Sequence, residues 1–219
     1  MNRWFVSQVL VTVLFLGCSA LTPEECKPLV TPVSLVNMMH GKMNFIMGYT
    51  NNEIYNSMMK WTDSSWLKIT PSPSNPNHLV MHEENRINGT CFASAFNGTI
   101  EGDTTTAALG NMSSSLHLLP SCDGCLVLSS NITVRNLNKL LQVMNMTGTV
   151  EEGEVTSHGF YLMSREPTVK DSDLKHFQQQ ASCFGYSGEP PFHYDGKSGA
   201  SLLQLSVKTV KSRCAISDG

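Results

Sequence analysis

Between about residues 41 and 165, apolar and polar side chains alternate in short runs separated by turn residues. Period-two alternation predicts strands at 43–50, 65–70, 78–84, 90–96, 104–109, 115–120, 125–131 and 158–164. Turn chemistry punctuates them at 71–77, at Asn88-Gly89, at Asn97-Gly98 and at Glu101-Gly102-Asp103. Many short strands at close, regular spacing predict an all-β barrel or sandwich. Two stretches switch to the helical period. Leu137, Leu140, Leu141 and Met144 form one short amphipathic helix; Leu174, Phe177, Ala181 and Phe184 form a second, with Thr168 to Asp171 read as its capping box.

The chain ends differ from this middle. Arg3 is followed by an apolar run from Trp4 to Leu16 and then by Gly17, Cys18, Ser19 and Ala20. That order predicts a signal peptide at 1–20, cleaved after Ala20. The run is short for a membrane span, so stable membrane insertion is not expected. The folded domain is placed at 21–195 and a polar C-terminal tail at 196–219. Five N-x-[ST] sequons begin at Asn88, Asn97, Asn111, Asn131 and Asn145, and behind a signal peptide they read as N-glycosylation sites of a secreted, extracellular protein.

Loss of Cys18 with the signal leaves Cys26, Cys91, Cys122, Cys125, Cys183 and Cys214. Six cysteines in an oxidising compartment read as three disulfides. Cys122-Asp-Gly-Cys125 lacks the βαβ context of a redox motif and the second ligand pair of a zinc site. Asp-Gly suits a two-residue type I′ hairpin, so these two cysteines are read as a staple across it.

Composition narrows the function. The 219 residues suit one barrel or sandwich domain, and 41% hydrophobic residues suffice for a core. Net charge −3 argues against a basic nucleic-acid binder and against a polybasic membrane-surface protein. Catalytic motifs fail when tested. Gly185-Tyr-Ser187-Gly188 is not a nucleophile elbow, Gly196-Lys197-Ser198 lacks the P-loop glycine, and the seven His show no metal-ligand spacing. No enzyme activity, cofactor or metal is expected.

Two segments carry a family resemblance. Gly41-Lys42-Met43 opens the first strand, and Arg165, after Phe160-Tyr161-Leu162-Met163-Ser164, precedes Pro167 and the second helix. The chain thus resembles the lipocalins, whose G-x-W motif and post-barrel Arg occupy these places; Met43 stands where the family has Trp. Text at 23–26, 118–125 and 170–174 is similar to the fish saxitoxin- and tetrodotoxin-binding branch, with more distant similarity to α1-acid glycoprotein and apolipoprotein M. The resemblance spans roughly 23–195.

It implies an eight-stranded antiparallel up-and-down barrel around one small ligand, with a C-terminal helix packed on it. It also implies a strand-to-helix disulfide, Cys91–Cys183. The expected set is then Cys91–Cys183, Cys122–Cys125 and Cys26–Cys214. Alternation within such a barrel points Met43, Phe45, Met47 and Tyr49 inward from the first strand and Tyr161 and Met163 inward from the last. Met81, Leu116, Leu118 and Leu128 are further inward candidates, and Ala93, Ala95, Ala107 and Ala108 suggest free space.

The expected function is a secreted glycoprotein that carries or sequesters a small hydrophobic or amphipathic molecule: a lipid, a steroid or a guanidinium toxin such as tetrodotoxin or saxitoxin. A cationic guest needs carboxylates, for which Glu53, Glu83, Glu84 and Asp103 lie near strand ends. The alternative is an immunomodulatory or surface-interaction glycoprotein with no barrel ligand.

Overall fold

A computed structural model describes residues 21–34, 40–143 and 153–194. The expected signal peptide, Met144, the sequon at Asn145, the tail at 196–219 and Cys214 lie outside the described residues, as does the side chain of Leu140.

The elements in chain order are α1 (Pro23–Val30), β1 (Gly41–Thr50), α2 (Glu53–Lys60), β2 (Thr62–Pro71), β3 (His78–Ile87), β4 (Thr90–Glu101), β5 (Thr104–Leu109), β6 (Met112–Leu119), β7 (Cys125–Arg135), α3 (Leu137–Val143), β8 (Glu154–Ser164), α4 (Asp171–Cys183) and the two-residue β9 (Phe192–His193). The first eight strands pair antiparallel with their sequence neighbours, and β1 pairs with both β2 and β8. The sheet therefore closes into an eight-stranded up-and-down barrel with no free long edge.

Turn residues do part of this work. Asn88 and Gly89 both have positive φ (47° and 76°), as a two-residue type I′ hairpin between β3 and β4 requires. The expected turn at Asn97-Gly98 is instead continuous β4, with Gly98 opposite Leu79 and Ala107. Its glycine serves close packing: a Cβ there would press on the Met81 side chain and on Thr105. Cys122-Asp-Gly-Cys125 forms a tight turn closed by Cys125 N–H donating to the Cys122 carbonyl (3.0 Å), with positive φ at Gly124 only. It leads into β7 and is not a two-strand hairpin.

β1 is the strand that bends. It pairs with β2 through residues 41–44 and with β8 through 44–50, and its register shifts between Phe45 and Met47. A bulge of this kind adds one residue and reverses the inside–outside alternation beyond it. Met43 and Phe45 belong to the barrel interior, whereas Met47 and Tyr49 join the outer cluster beneath α4 with Phe160, Leu162, Phe177 and Ala181. The expectation that Met47 and Tyr49 face inward is thereby corrected.

The disulfides are corrected too. Cys26 pairs with Cys183 (Cα–Cα 5.5 Å), joining α1 to α4. This replaces both Cys91–Cys183 and Cys26–Cys214. The reason is topological: α4 packs on β1, β7 and β8, and β4, which carries Cys91, lies across the barrel from β8. Cys91 is disulfide-bonded, but not to Cys183. Cys122 and Cys125 are bonded to each other.

α1 went unread in the sequence although its signal was present. Thr22 caps it, Pro23 occupies its first turn, and the Thr22 backbone N–H donates to Glu25 Oε2 (2.8 Å). α4, by contrast, starts after Lys170 without a side-chain cap, so Thr168 to Asp171 is not a capping box.

Candidate ligand site

One end of the barrel is filled. The segment after α1 crosses it, with Val33 N–H donating to the Leu118 carbonyl (2.8 Å). Met43, Ile69, Leu79, Met81, Leu126 and Met163 pack beneath Val33 and are buried. Met43 is fully buried and fills this end by volume. Arg165 straps this end, its Nη2 donating to the His40 carbonyl (3.3 Å). The cation–π contact here is made by Lys42, 4.6 Å from the Trp66 ring centroid.

Toward the other end the interior changes character. Phe45, Leu67, Phe96, Leu116 and Tyr161 pack on the floor cluster yet keep accessible surface. Phe45 meets Tyr161 edge-on at 5.7 Å and stacks on Phe192 at 4.4 Å. Two glycines hold these rings against the wall. A Cβ on Gly48 would overlap the Phe45 ring, and one on Gly159 would overlap the Tyr161 hydroxyl. Any larger residue would push a ring into the lumen.

The same half is polar. Glu83 follows Leu79 and Met81 on the inward face of β3, between Leu67 on β2 and Ser94 on β4. Its Oε1 accepts a hydrogen bond from Asn85 Nδ2 (2.9 Å). Burial raises the pKa of the Glu83 carboxyl, opposed by that hydrogen bond. Burial raises the Tyr161 phenol as well, with the negative charge of Glu83 adding to it. Ser130 Oγ and Tyr55 OH are buried without a hydrogen-bond partner among the described residues, as is Thr105 Oγ1 down on the floor beside Gly98, and burial pushes the Tyr55 phenol up to about 12. Tyr55 comes from α2, which with α3 stands at the mouth; Ile54 and Tyr55 pack on Leu137, Leu141 and Val134.

Of the predicted interior residues, Phe45, Met81, Leu116, Leu118, Leu128, Tyr161 and Met163 come together inside the barrel. Ala107 faces inward; Ala93, Ala95 and Ala108 are exposed and supply no lumen space. Among the candidate carboxylates only Glu83 is inside. Glu84 has the opposite parity, Glu53 lies in the first turn of α2, and Asp103 sits at the filled end, 3.9 Å from His117. Sequence reading missed Gly48, Gly159, Thr105, Ser130, Asn85 and Tyr55. Once the strands were assigned, parity with Leu128 and Met81 would have pointed Ser130 and Asn85 inward.

Outside the barrel, His158 is held between Ser129 Oγ (2.9 Å from Nε2) and Tyr186 OH (2.6 Å from Nδ1), and Tyr186 OH also donates to the His158 carbonyl (3.0 Å). Burial lowers the His158 pKa and pushes the Tyr186 phenol up to about 12, so the pair is neutral near pH 7 and clamps the segment after α4 to the barrel. A cleft of about 200 Å³ lies beside α4 at Asp173, His176 and Gln180. A shallower one of about 520 Å³ runs over the outer faces of β4 to β7, past Asn97, Ser115 and Asn131. The sequon residues Asn88, Asn97, Asn111 and Asn131 are all exposed. No group of three metal-ligating side chains occurs among the described residues.

No family model and no curated protein matches the chain. Solved structures do. The siderocalin Ex-FABP, described as functioning through dual ligand specificities, aligns with a TM-score of 0.51 at 13% identity over 68% of this chain and 87% of its own. The odorant-binding protein OBP1 aligns at 0.50, 9% identity, over 71% and 88%. A dog lipocalin allergen aligns at 0.48 and 12%, over 68% and 88%. At these identities the similarity shows the fold: a lipocalin-type barrel with one helix packed outside it.

Proposed function

We propose that this protein is a secreted, N-glycosylated carrier or scavenger that takes one small amphipathic molecule into the mouth half of its barrel. The observation that carries this reading is the asymmetry of the interior. A floor of buried aliphatic and Met side chains gives way to aromatic and polar side chains that retain accessible surface. Burial of the ligand's apolar part on Leu67, Leu116, Phe96 and Phe45 supplies affinity, and the side chains of Glu83 and Asn85, which keep accessible surface, fix orientation. Residues proposed to touch ligand are therefore Phe45, Leu116 and Tyr161; Met81, Leu118, Leu128 and Met163 form the base beneath it. Lipids, steroids and guanidinium toxins of the saxitoxin and tetrodotoxin type are the candidate guests. No catalytic role is assigned. The exposed sequon residues and the disulfides support an extracellular location.

The test is native mass spectrometry of the oxidised, deglycosylated protein secreted from eukaryotic cells, followed by a panel of lipids, steroids and toxins. A retained small mass, or one-to-one binding of a panel member, supports the carrier. Protein that carries nothing and binds no panel member contradicts it. The second reading, a surface-interaction glycoprotein, draws on the 520 Å³ outer cleft flanked by Asn97 and Asn131.

A further inference from the structure

The charge inventory of the lumen narrows the ligand class. Along the inward parity of the eight strands there is one carboxylate, Glu83, and no Lys, Arg or His. None of the salt bridges among the described residues involves Glu83. Among the described residues its one hydrogen-bond donor is Asn85, which leaves most of the carboxylate's acceptor capacity open. A carboxylate removed from bulk water without a cation is costly, and proteins keep such groups when something else supplies the partner.

The surroundings fit a cation. Tyr161, within electrostatic reach of Glu83, and Phe45 beside it offer aromatic faces. Ser94, opposite Glu83 on β4 and partly accessible, offers a hydroxyl acceptor for N–H donors. Resting on the carrier reading above, we infer that Glu83 is the charge-recognition residue of the lumen and that the ligand class is an amphipathic organic monocation, its cationic head against Glu83 and its apolar part on Leu67, Leu116 and Phe96.

The inference also fixes a pH dependence. The groups facing Glu83 are Leu67 from β2, Ser94 from β4, Asn85 from its own strand, Tyr161 from β8 and, next to Tyr161, Tyr55 from α2. The two phenols stay neutral well above pH 7, since burial raises both. Glu83 alone titrates in the acidic range, at a pKa above the ordinary carboxylate value. Cation binding is therefore lost as pH falls through that raised value, while binding of a neutral guest is not.

The test uses two near-isosteric probes, octylguanidinium and octylurea, titrated calorimetrically into the full oxidised protein and its Glu83→Gln variant. Wild-type protein is expected to favour octylguanidinium at least tenfold at pH 7.5 and to lose that preference by pH 4. In Glu83→Gln the preference falls to about twofold or less. Should the variant not fold, the wild-type pH series decides alone. Equal binding of both probes, or a preference for octylurea, overturns the charge inference and leaves the carrier reading intact. If neither probe nor any panel lipid, steroid or toxin binds, both fall.

Discussion

The two halves of the barrel solve different problems with the same strands. At the filled end, inward positions are Met43, Ile69, Leu79, Leu126 and Met163, all nearly inaccessible, and Val33 packs over them. Toward the mouth, the same strands turn in Leu67, Glu83, Ser94, Leu116 and Ser130. One half maximises apolar burial, the main favourable term in folding. The other leaves apolar surface accessible and polar atoms unpaired, both of which cost stability. A fold keeps such features where a guest completes them.

If this division is right, mutations in the two halves should separate stability from binding. The largest effect is expected outside the lumen, where Cys26–Cys183 closes 157 residues of sequence and Gln180 Nε2 bonds both the Leu29 and Pro120 carbonyls at 2.8 Å. The double change Cys26→Ser, Cys183→Ser is expected to cost about 4 kcal/mol, or roughly 10 °C of Tm for a domain of this size. Scanning calorimetry measures it.

Next comes the floor. Met43→Ala should cost about 3 kcal/mol by leaving a cavity, whereas Leu116→Ala, already partly accessible, should cost about 1 kcal/mol. Ligand affinity should move in the opposite order, falling more for Leu116→Ala. Comparable stability losses at the two sites would break the comparison.

A smaller effect carries the sign of the buried charge. With its folded pKa raised, Glu83 holds its proton to higher pH in the folded state than in the unfolded chain. Stability then falls as pH rises between the ordinary carboxylate value of 4.5 and the raised one. Glu83→Gln in the ligand-free protein should raise Tm at pH 7.5, with the gain gone at pH 4. Thermal melts across that range test it. The smallest effect belongs to Thr105→Val. Removing a buried hydroxyl that has no partner among the described residues should leave stability unchanged or raise it by about 0.5 kcal/mol. A loss above 1 kcal/mol in denaturant titration would mean that the hydroxyl is already satisfied without a guest.

Much of the scaffold was legible because period-two alternation is a strong signal wherever one face is buried. All eight strands fall where the pattern put them, and Leu174, Phe177 and Ala181 do mark α4. Met47 and Tyr49 escaped because a single bulged residue at the bend of β1 reverses parity, and nothing in Phe45-Ile46-Met47 announces a bulge. The Cys26–Cys183 pair escaped because pairing depends on which elements are neighbours in space, and α1 had not been read as an element at all. Glu83 was visible as a candidate, and its parity with Met81 already set it apart from Glu84. The register of β3 against β2 and β4 then places Glu83 between Leu67 and Ser94.

The central claim is that the ligand binds within the mouth half and not in the outer cleft. It is tested most directly by titrating 1-aminoanthracene, a fluorescent amphipath, into wild-type protein and two filling variants. Ser94→Trp places a ring inside the lumen beside Glu83, and Ser115→Trp fills the outer cleft over β4 to β7. The account predicts one site per chain in wild type, kept in Ser115→Trp and lost in Ser94→Trp. Binding that survives Ser94→Trp and vanishes in Ser115→Trp would contradict it and move the site to the outer face between the sequon residues Asn97 and Asn131.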